Sequence, residues 1–220
     1  MALTLNEAPG DRLSDVQLEA WRGIPTAVIS DDLNRTATMQ AAIKPVGPGM
    51  GFVGQALTAQ TMVGDNGTLH YALTRAWPGA VLVVDARGHE ETAVWGGILV
   101  AAAVARKLTA VVIDGAVRDV AELRESGLAV YARAVVPNGP HKGFGGSVNT
   151  PIQCGGVPVN PGDLVVGDED GVVVIRPNQF PGLIERCRAR IEKEEKFVKQ
   201  IEAGVSTVEL MGLPPADQIG

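Results

Sequence analysis

The sequence predicts an α/β fold, with parallel βαβ units in the middle of the chain and β-hairpins towards its C-terminal end. Three observations predict it. Apolar runs alternate with helical patterns between residues 80 and 134, the order that calls for parallel strands joined by right-handed crossovers. Aromatics make up only 4% of the 220 residues against 45% hydrophobic overall, so Val, Ala, Leu and Ile must build the core, as in sheets covered on both faces. The 27 glycines are spread without a three-residue period, which implies many tight turns and excludes collagen-like repeats.

Residues 14–22 read as a short helix capped by Ser14 and stopped by Gly23, with Pro25 barring its resumption. A second helix is expected to begin near Ser30, whose two acidic followers suit a helix N-terminus, and to run through Leu33. Gly47 to Gly51 is a turn cluster; Phe52 to Thr61 follows as a strand, broken by Gly64-Asp65-Asn66-Gly67. Thr68 to Trp77 suits a helix, Ala80 to Asp85 a buried strand and 97–106 a helix apolar on every face. Leu108 to Asp114 gives the next strand, Asp119 to Glu125 a short helix and Ala129 to Ala134 a third strand. Beyond Pro137 short apolar stretches separated by turn residues read as hairpins, most clearly Leu164 to Ile175 around Asp170-Gly171. Gln179 to Ala203 reads as one long charged helix. The expected organisation is an N-terminal helical segment (1–24), an α/β/β domain (25–177) and a C-terminal helix with tail (178–220).

Several function classes drop out. A net charge of -6 with no long Lys/Arg cluster predicts no nucleic-acid partner. The longest apolar stretch, Ala93 to Ala105, is short of the roughly 20 residues of a membrane span, so no membrane is expected. Cys154 and Cys187 form no CxxC pair and the N-terminus carries no signal-peptide pattern, which points to the cytoplasm. Gly49-Met50-Gly51-Phe52-Val53-Gly54 satisfies GxGxxG, but it precedes a strand and opens no helix, so it reads as a turn. His70, His89 and His141 lack zinc-ligand spacing, and no GxSxG elbow is present.

The segment that carries chemistry runs from Trp95-Gly96-Gly97-Ile98-Leu99 to Arg118-Asp119-Val120-Ala121-Glu122. Two glycines at the mouth of an apolar helix leave N–H groups open to a carboxylate, aided by the helix dipole. Arg118-Asp119 follows the C-terminal end of a buried parallel strand, where ligands bind in open α/β sheets. Arg118 offers a planar fork to a carboxylate or oxyanion, Asp119 a hard oxygen to a divalent cation, and Glu122 shares Asp119's helical face. The same residues also read as structure alone: Asp119 as an N-cap, Glu122 as its capping-box partner and Arg118 in a surface ion pair.

These motifs, with Gly146-Ser147-Val148-Asn149-Thr150-Pro151 and Asn160-Pro161-Gly162-Asp163 through Asp168-Glu169-Asp170-Gly171-Val172, resemble the RraA-like proteins over about residues 25 to 212. That family includes 4-hydroxy-4-methyl-2-oxoglutarate aldolases and an inhibitor of ribonuclease E. The resemblance implies a swivelling α/β/β fold, a homotrimer or hexamer and an active site at a subunit cleft. It also implies Mg²⁺ or Mn²⁺ on Asp119, substrate contact by Arg118, and amides of Gly96, Gly97, Ile98 and Leu99 on the substrate carboxylate.

One departure stands out. Many aldolases of the family carry Asp twenty-one residues before the arginine, where this chain has Gly97. Glu122 is the expected replacement. The implied activity is metal-dependent cleavage of 4-hydroxy-4-methyl-2-oxoglutarate-type substrates to pyruvate, with oxaloacetate decarboxylation, through one enolate. No histidine sits beside the motif to serve as base. The alternatives are a non-catalytic, protein-binding regulator of the ribonuclease E type and a lyase acting on another 2-oxo acid. Asp65 and Asn66 are candidates to line the cleft, or to serve only a turn. Glu192, Glu194, Glu195 and Glu202 are candidates for a cross-subunit contribution, or simply a solvated helix face.

Overall fold

The computed structural model describes residues 3–8 and 10–216. A short strand β1 (Leu3–Leu5) precedes helices α1 (Asp15–Glu19) and α2 (Thr26–Asp32). Strands β2 (Lys44–Pro45) and β3 (Phe52–Thr61), helix α3 (Gly67–Thr74) and strand β4 (Val81–Trp95) come next. Helix α4 (Gly97–Ala105), strand β5 (Ala110–Val117), helix α5 (Val120–Glu125) and strand β6 (Ala129–Val135) complete the alternating region. Strands β7 (Gly146–Val148), β8 (Ile152–Cys154), β9 (Val157–Val159), β10 (Leu164–Asp168) and β11 (Gly171–Ile175) follow, then helices α6 (Leu183–Glu202) and α7 (Thr207–Leu210).

Strands β3, β4, β5 and β6 pair in parallel and in sequence order, as alternating strands and crossover helices require. Antiparallel strands complete the sheet: β2 on β6, β7 on the last residues of β3, and β10 on its first residues, with β11 on β10. The result is a mixed α/β fold with parallel and antiparallel pairing. Strand periodicity decides which side chain enters which layer. Leu82, Val84, Val111 and Ile113 face α3, α4 and α5 in one core, whereas Val81, Val83, Ala110 and Val112 face the β8–β9 hairpin in a second. A third core joins Val166 and Ile175 of the β10–β11 hairpin to Trp21, Ile29 of α2, and Leu183 and Cys187 of α6. Each fully buried Val, Leu or Ile contributes about 1.5–3 kcal/mol.

Several elements differ from expectation, each for a local reason. Helix α2 begins at Thr26, not near Ser30: Pro25 occupies the N-cap, and Asp168 accepts the Thr26 N–H (2.8 Å) and hydroxyl (2.6 Å). Strand β4 continues ten residues past Asp85, because register shifts let its polar middle swing out before Ala93 to Trp95 pair again with β5. The long C-terminal helix starts at Leu183, since Gly182 takes a left-handed backbone (φ +71°) after a 3₁₀ turn at Pro177–Gln179. Strand β1 was not foreseen. The Gly47–Gly51 cluster is a turn leading into β3, with no helix behind it. Among the described residues, no helix is long and apolar enough to cross a membrane.

Candidate active site

The site forms where β4 and β5 end together. Trp95 pairs with Val117, and the Arg118 N–H donates to Trp95 O at 2.9 Å, so the residues after both strands are held side by side. Gly96 is extended and caps α4. A Cβ there would lie 2.5 Å from Asp119 Oδ2 and 3.0 Å from Arg118 Cγ, so only glycine permits this approach.

Asp119 adopts a left-handed backbone (φ 59°, ψ 41°) and its side chain makes no cap bond to α5. Asp119 thus holds the N-cap position that one reading gave it, but neither the side-chain cap nor the capping box with Glu122 forms. Asp119 Oδ2 instead accepts the Gly97 N–H at 2.9 Å, binding the mouth of α4 to the start of α5. The ion pair with Arg118 does form, at 3.5 Å and over one-third exposed on both sides. Since Asp119 occupies the Gly97 amide, that amide is not free for a substrate carboxylate. Ile98 and Leu99 remain in the first turn, where helix geometry leaves N–H groups without intrahelical acceptors.

A small cleft of about 50 Å³ opens at this point, lined by Gly96 to Leu99 and Arg118 on one side and by Asn66, His70, Pro140 and Lys142 on the other. Two lining side chains are more than nine-tenths buried yet carry polar atoms without a partner: Asn66 Oδ1 (6% exposed) and Trp95 Nε1 (1% exposed). Buried polar atoms are nearly always paired, so this wall is built for polar contact with a ligand or water. His70, only partly buried as a residue, also has its Nε2 without a partner; burial, then the Lys142 charge, pushes His70 below its ordinary value and favours the neutral ring.

Sequence reading missed His70 and Lys142 because they reach the cleft through folding rather than spacing. His70 rides on α3 and Lys142 on the segment after β6; the glycine and proline around residues 139–140 were the only local signal. Asn66 lines the cleft as one reading expected. Asp65 does not: it is fully buried and accepts the N–H groups of Gly67 (2.8 Å), Gly143 (2.7 Å) and Phe144 (3.2 Å). Glu192, Glu194, Glu195 and Glu202 lie on α6, which packs against α2, and none lines the cleft. Glu122 stands beside Gly97: a Cβ on that glycine would fall 2.0 Å from Glu122 Oε2 and 3.6 Å from Asp119 Oδ2.

Among the described residues no group of three or more His, Cys, Asp or Glu converges to hold a metal by protein ligands alone. The Asp119 carboxylate, with that of Glu122 also beside Gly97, offers hard oxygens that fit a cation such as Mg²⁺ or Mn²⁺, which binds through one or two protein carboxylates and keeps several waters.

The family model for RraA-like proteins, described as Aldolase/RraA, matches residues 26–174. The chain belongs to the RraA-like family. A Halalkalibacterium halodurans relative, provisionally named 4-hydroxy-4-methyl-2-oxoglutarate aldolase, is 34% identical over 86% of this chain and 90% of its own. The 4-hydroxy-4-methyl-2-oxoglutarate aldolase of Thermus thermophilus is 33% identical over 69% of this chain and 91% of its own. Among solved structures, Streptomyces coelicolor RraAS2, described as an unusual member of the RNase ES inhibitor RraA family, superposes with a TM-score of 0.77. It is 26% identical, over 87% of this chain and 99% of its own. Relatives named as aldolases support a lyase, within a family that also contains inhibitors.

Proposed function

We propose that this RraA-like protein is a divalent-metal-dependent pyruvate aldolase that cleaves 4-hydroxy-4-methyl-2-oxoglutarate-type substrates and also decarboxylates oxaloacetate. One observation carries the reading. The Asp119 carboxylate holds the Gly97 N–H at the mouth of α4 beside Arg118, and Gly97 and Arg118 line a cleft whose buried Asn66 and Trp95 polar atoms have no protein partner.

Cleavage breaks the C3–C4 bond of a 4-hydroxy-2-oxo acid. The hydroxyl loses its proton, its O–H electron pair becomes the new carbonyl, and the C–C pair passes to the pyruvyl fragment as an enolate. Decarboxylation of oxaloacetate leaves the same enolate. Arg118 places a permanent positive charge beside the oxygen that gains charge, the arrangement that contributes most to this kind of catalysis. The first-turn N–H groups of Ile98 and Leu99 suit the substrate's 1-carboxylate, and Lys142 supplies a second cation on the opposite wall. His70, favoured in its neutral form, is the ring in the cleft suited to take the 4-hydroxyl proton. Asp119 would hold Mg²⁺ or Mn²⁺, which when bound supplies Lewis acidity to the keto oxygen.

A homotrimer or hexamer belongs to the same reading, and exposed apolar side chains about the cleft support it. Ile98 is 80% exposed at the cleft itself, and Tyr71 and Phe144 are about half exposed around an adjoining hollow that shares Lys142. The two free, buried thiols suit a reducing cytoplasm.

Chelator-treated protein is expected to release pyruvate from 4-hydroxy-4-methyl-2-oxoglutarate and from oxaloacetate only when Mg²⁺ or Mn²⁺ is restored. Arg118→Ala and Asp119→Asn should each lower kcat/KM by about 100-fold or more. Unchanged rates in either variant overturn the mechanism. No turnover of any 2-oxo acid, combined with capture of a ribonuclease, points instead to the regulator reading that the likeness to RraAS2 raises.

A further inference from the structure

We infer that Asn66 and Trp95 together read a hydroxyl group of the substrate and make the cleft selective for hydroxy acids. The inference rests on the proposed function and concerns the same site. Both residues line the cleft, both are more than nine-tenths buried, and each keeps one polar atom without a protein partner: Asn66 Oδ1 and Trp95 Nε1. The two atoms are opposite in kind. Asn66 Nδ2 donates to Val94 O at 3.0 Å, a bond only the amide nitrogen can make, so Oδ1 is left as a fixed acceptor. An indole N–H can only donate. Val94 and Trp95 are consecutive in β4, so the bond that orients the Asn66 amide also holds it next to Trp95.

One group satisfies both atoms only if it accepts and donates at once. A carboxylate or keto oxygen pairs with Trp95 but sets a second acceptor against Asn66, and an ammonium pairs with Asn66 but leaves the indole unpaired. A hydroxyl does both: its oxygen takes the Trp95 N–H and its proton goes to Asn66 Oδ1. The charged side chains of the lining are Arg118 and Lys142, with no carboxylate among them, so the cleft draws an organic acid and the hydroxyl belongs to a hydroxy acid. In an ionised 4-hydroxy-2-oxo acid the 4-hydroxyl is the one O–H group. His70, four residues along from Asn66 and in the same lining, accepts that proton when the C3–C4 bond breaks, while the Trp95 N–H stays on the oxygen as it becomes a carbonyl. An acid without the hydroxyl leaves both buried atoms unpaired, and that cost is the source of the selectivity.

Trp95→Phe tests this, because it removes the N–H and keeps an aromatic ring in the core. Assayed with Mn²⁺ supplied, its kcat/KM for 4-hydroxy-4-methyl-2-oxoglutarate should fall by about 10-fold or more, while that for oxaloacetate, which has no 4-hydroxyl, should fall by less than about 3-fold. Asn66→Ala should show the same split, and the double variant should lose less than the product of the two, since both residues hold one hydroxyl. If thermal melts show Asn66→Ala to be unfolded, the split in Trp95→Phe decides alone. The pH profile of kcat/KM should keep its wild-type shape in Trp95→Phe, since neither residue titrates. Equal losses on the two substrates, or wild-type selectivity in Trp95→Phe, overturn the inference and leave the aldolase reading intact: the wall then holds a water or supports the fold. A displaced pH profile also overturns it, because the loss would then pass through His70. A wild-type protein that turns over neither substrate fails the proposed function, and the inference with it.

Discussion

Asp119 shows how much rests on one dihedral angle. Its left-handed backbone is costly for most residues but tolerated by Asp, at about 1 kcal/mol. It turns the carboxylate away from its own helix and onto the Gly97 N–H. His70 makes a second residue-scale case, with a pH consequence. Its folded pKa lies below the ordinary 6.5, because burial and then Lys142 disfavour the charged ring. As pH falls through 6.5 the unfolded chain takes up the proton first, so stability falls with it; the slope is positive with rising pH in that window. His70→Gln should flatten the slope of urea-denaturation stability between about pH 5 and pH 7. It should also slow aldol cleavage far more than oxaloacetate decarboxylation, which has no hydroxyl proton to remove. Equal losses in the two reactions would remove His70 as the base. The meeting of Arg118, Asp119 and the glycine pair at one sheet edge was legible in the sequence because both motifs follow the ends of adjacent parallel strands. Whether the Asp119 side chain caps its own helix or turns away from it was not, since Asp-x-x-Glu is the same string in both and the backbone angle separates them.

At the scale of elements, alternation made the central strands and their helices readable, and the misreadings fall where tertiary partners override local signals. Pro25 looks like a barrier yet starts α2, because Asp168, more than 140 residues away, caps the helix. The polar run Arg87 to Thr92 looks like the end of a strand, yet β4 resumes pairing with β5 beyond it. Close backbone approach is equally invisible in sequence. Gly146 begins β7 where a Cβ would fall 2.2 Å from Gln60 O and from Thr68 Oγ1. At Gly167 of β10 the obstacle is the ring of Phe52, at 2.2 Å. Both alanine variants are expected to destabilise, and by different amounts. A main-chain carbonyl in a paired strand cannot move aside without breaking the β3–β7 pairing, while a ring can rotate at the cost of core packing. Gly146→Ala should lose about 3 kcal/mol or more in chemical denaturation and Gly167→Ala about 1–3 kcal/mol. The reverse order would show that β7 adapts more readily than the core around Phe52.

Taken as a whole molecule, the fold brings four separate stretches to one cleft: the turn before α3, the end of β4, the end of β5 and the segment after β6. Parallel pairing explains the middle two, since neighbouring strands end at one edge and α4 and α5 start there. The outer two are tied together by the buried Asp65 carboxylate and by a backbone bridge in which the His141 N–H donates to Gly64 O at 2.8 Å. Asp65 Oδ2 accepts the N–H groups of Gly143 and Phe144, its Oδ1 takes that of Gly67, and the Asn66 N–H donates to His141 O at 3.0 Å. Lys142 is thus held between anchored neighbours, facing Asn66 and His70, while Gly139 lies against the Arg118 guanidinium. Nothing in the local sequence announces this tie, because its partners lie some 78 residues apart. Asp65→Ala would leave three part-buried N–H groups without the acceptor that the fully buried Asp65 provides. Hydrogen bonds to charged groups contribute about 1.5–3 kcal/mol each, so a loss of about 3 kcal/mol in global stability is a conservative expectation. The loss should also be uneven. Amide exchange at Gly143 and Phe144 should rise by more than the global destabilisation explains, while amides in β4 and β5 should follow the global change alone, because the segment after β6 would open on its own. Uniform acceleration across the sheet and this segment would mean that Asp65 supports the fold as a whole and not the wall that carries Lys142.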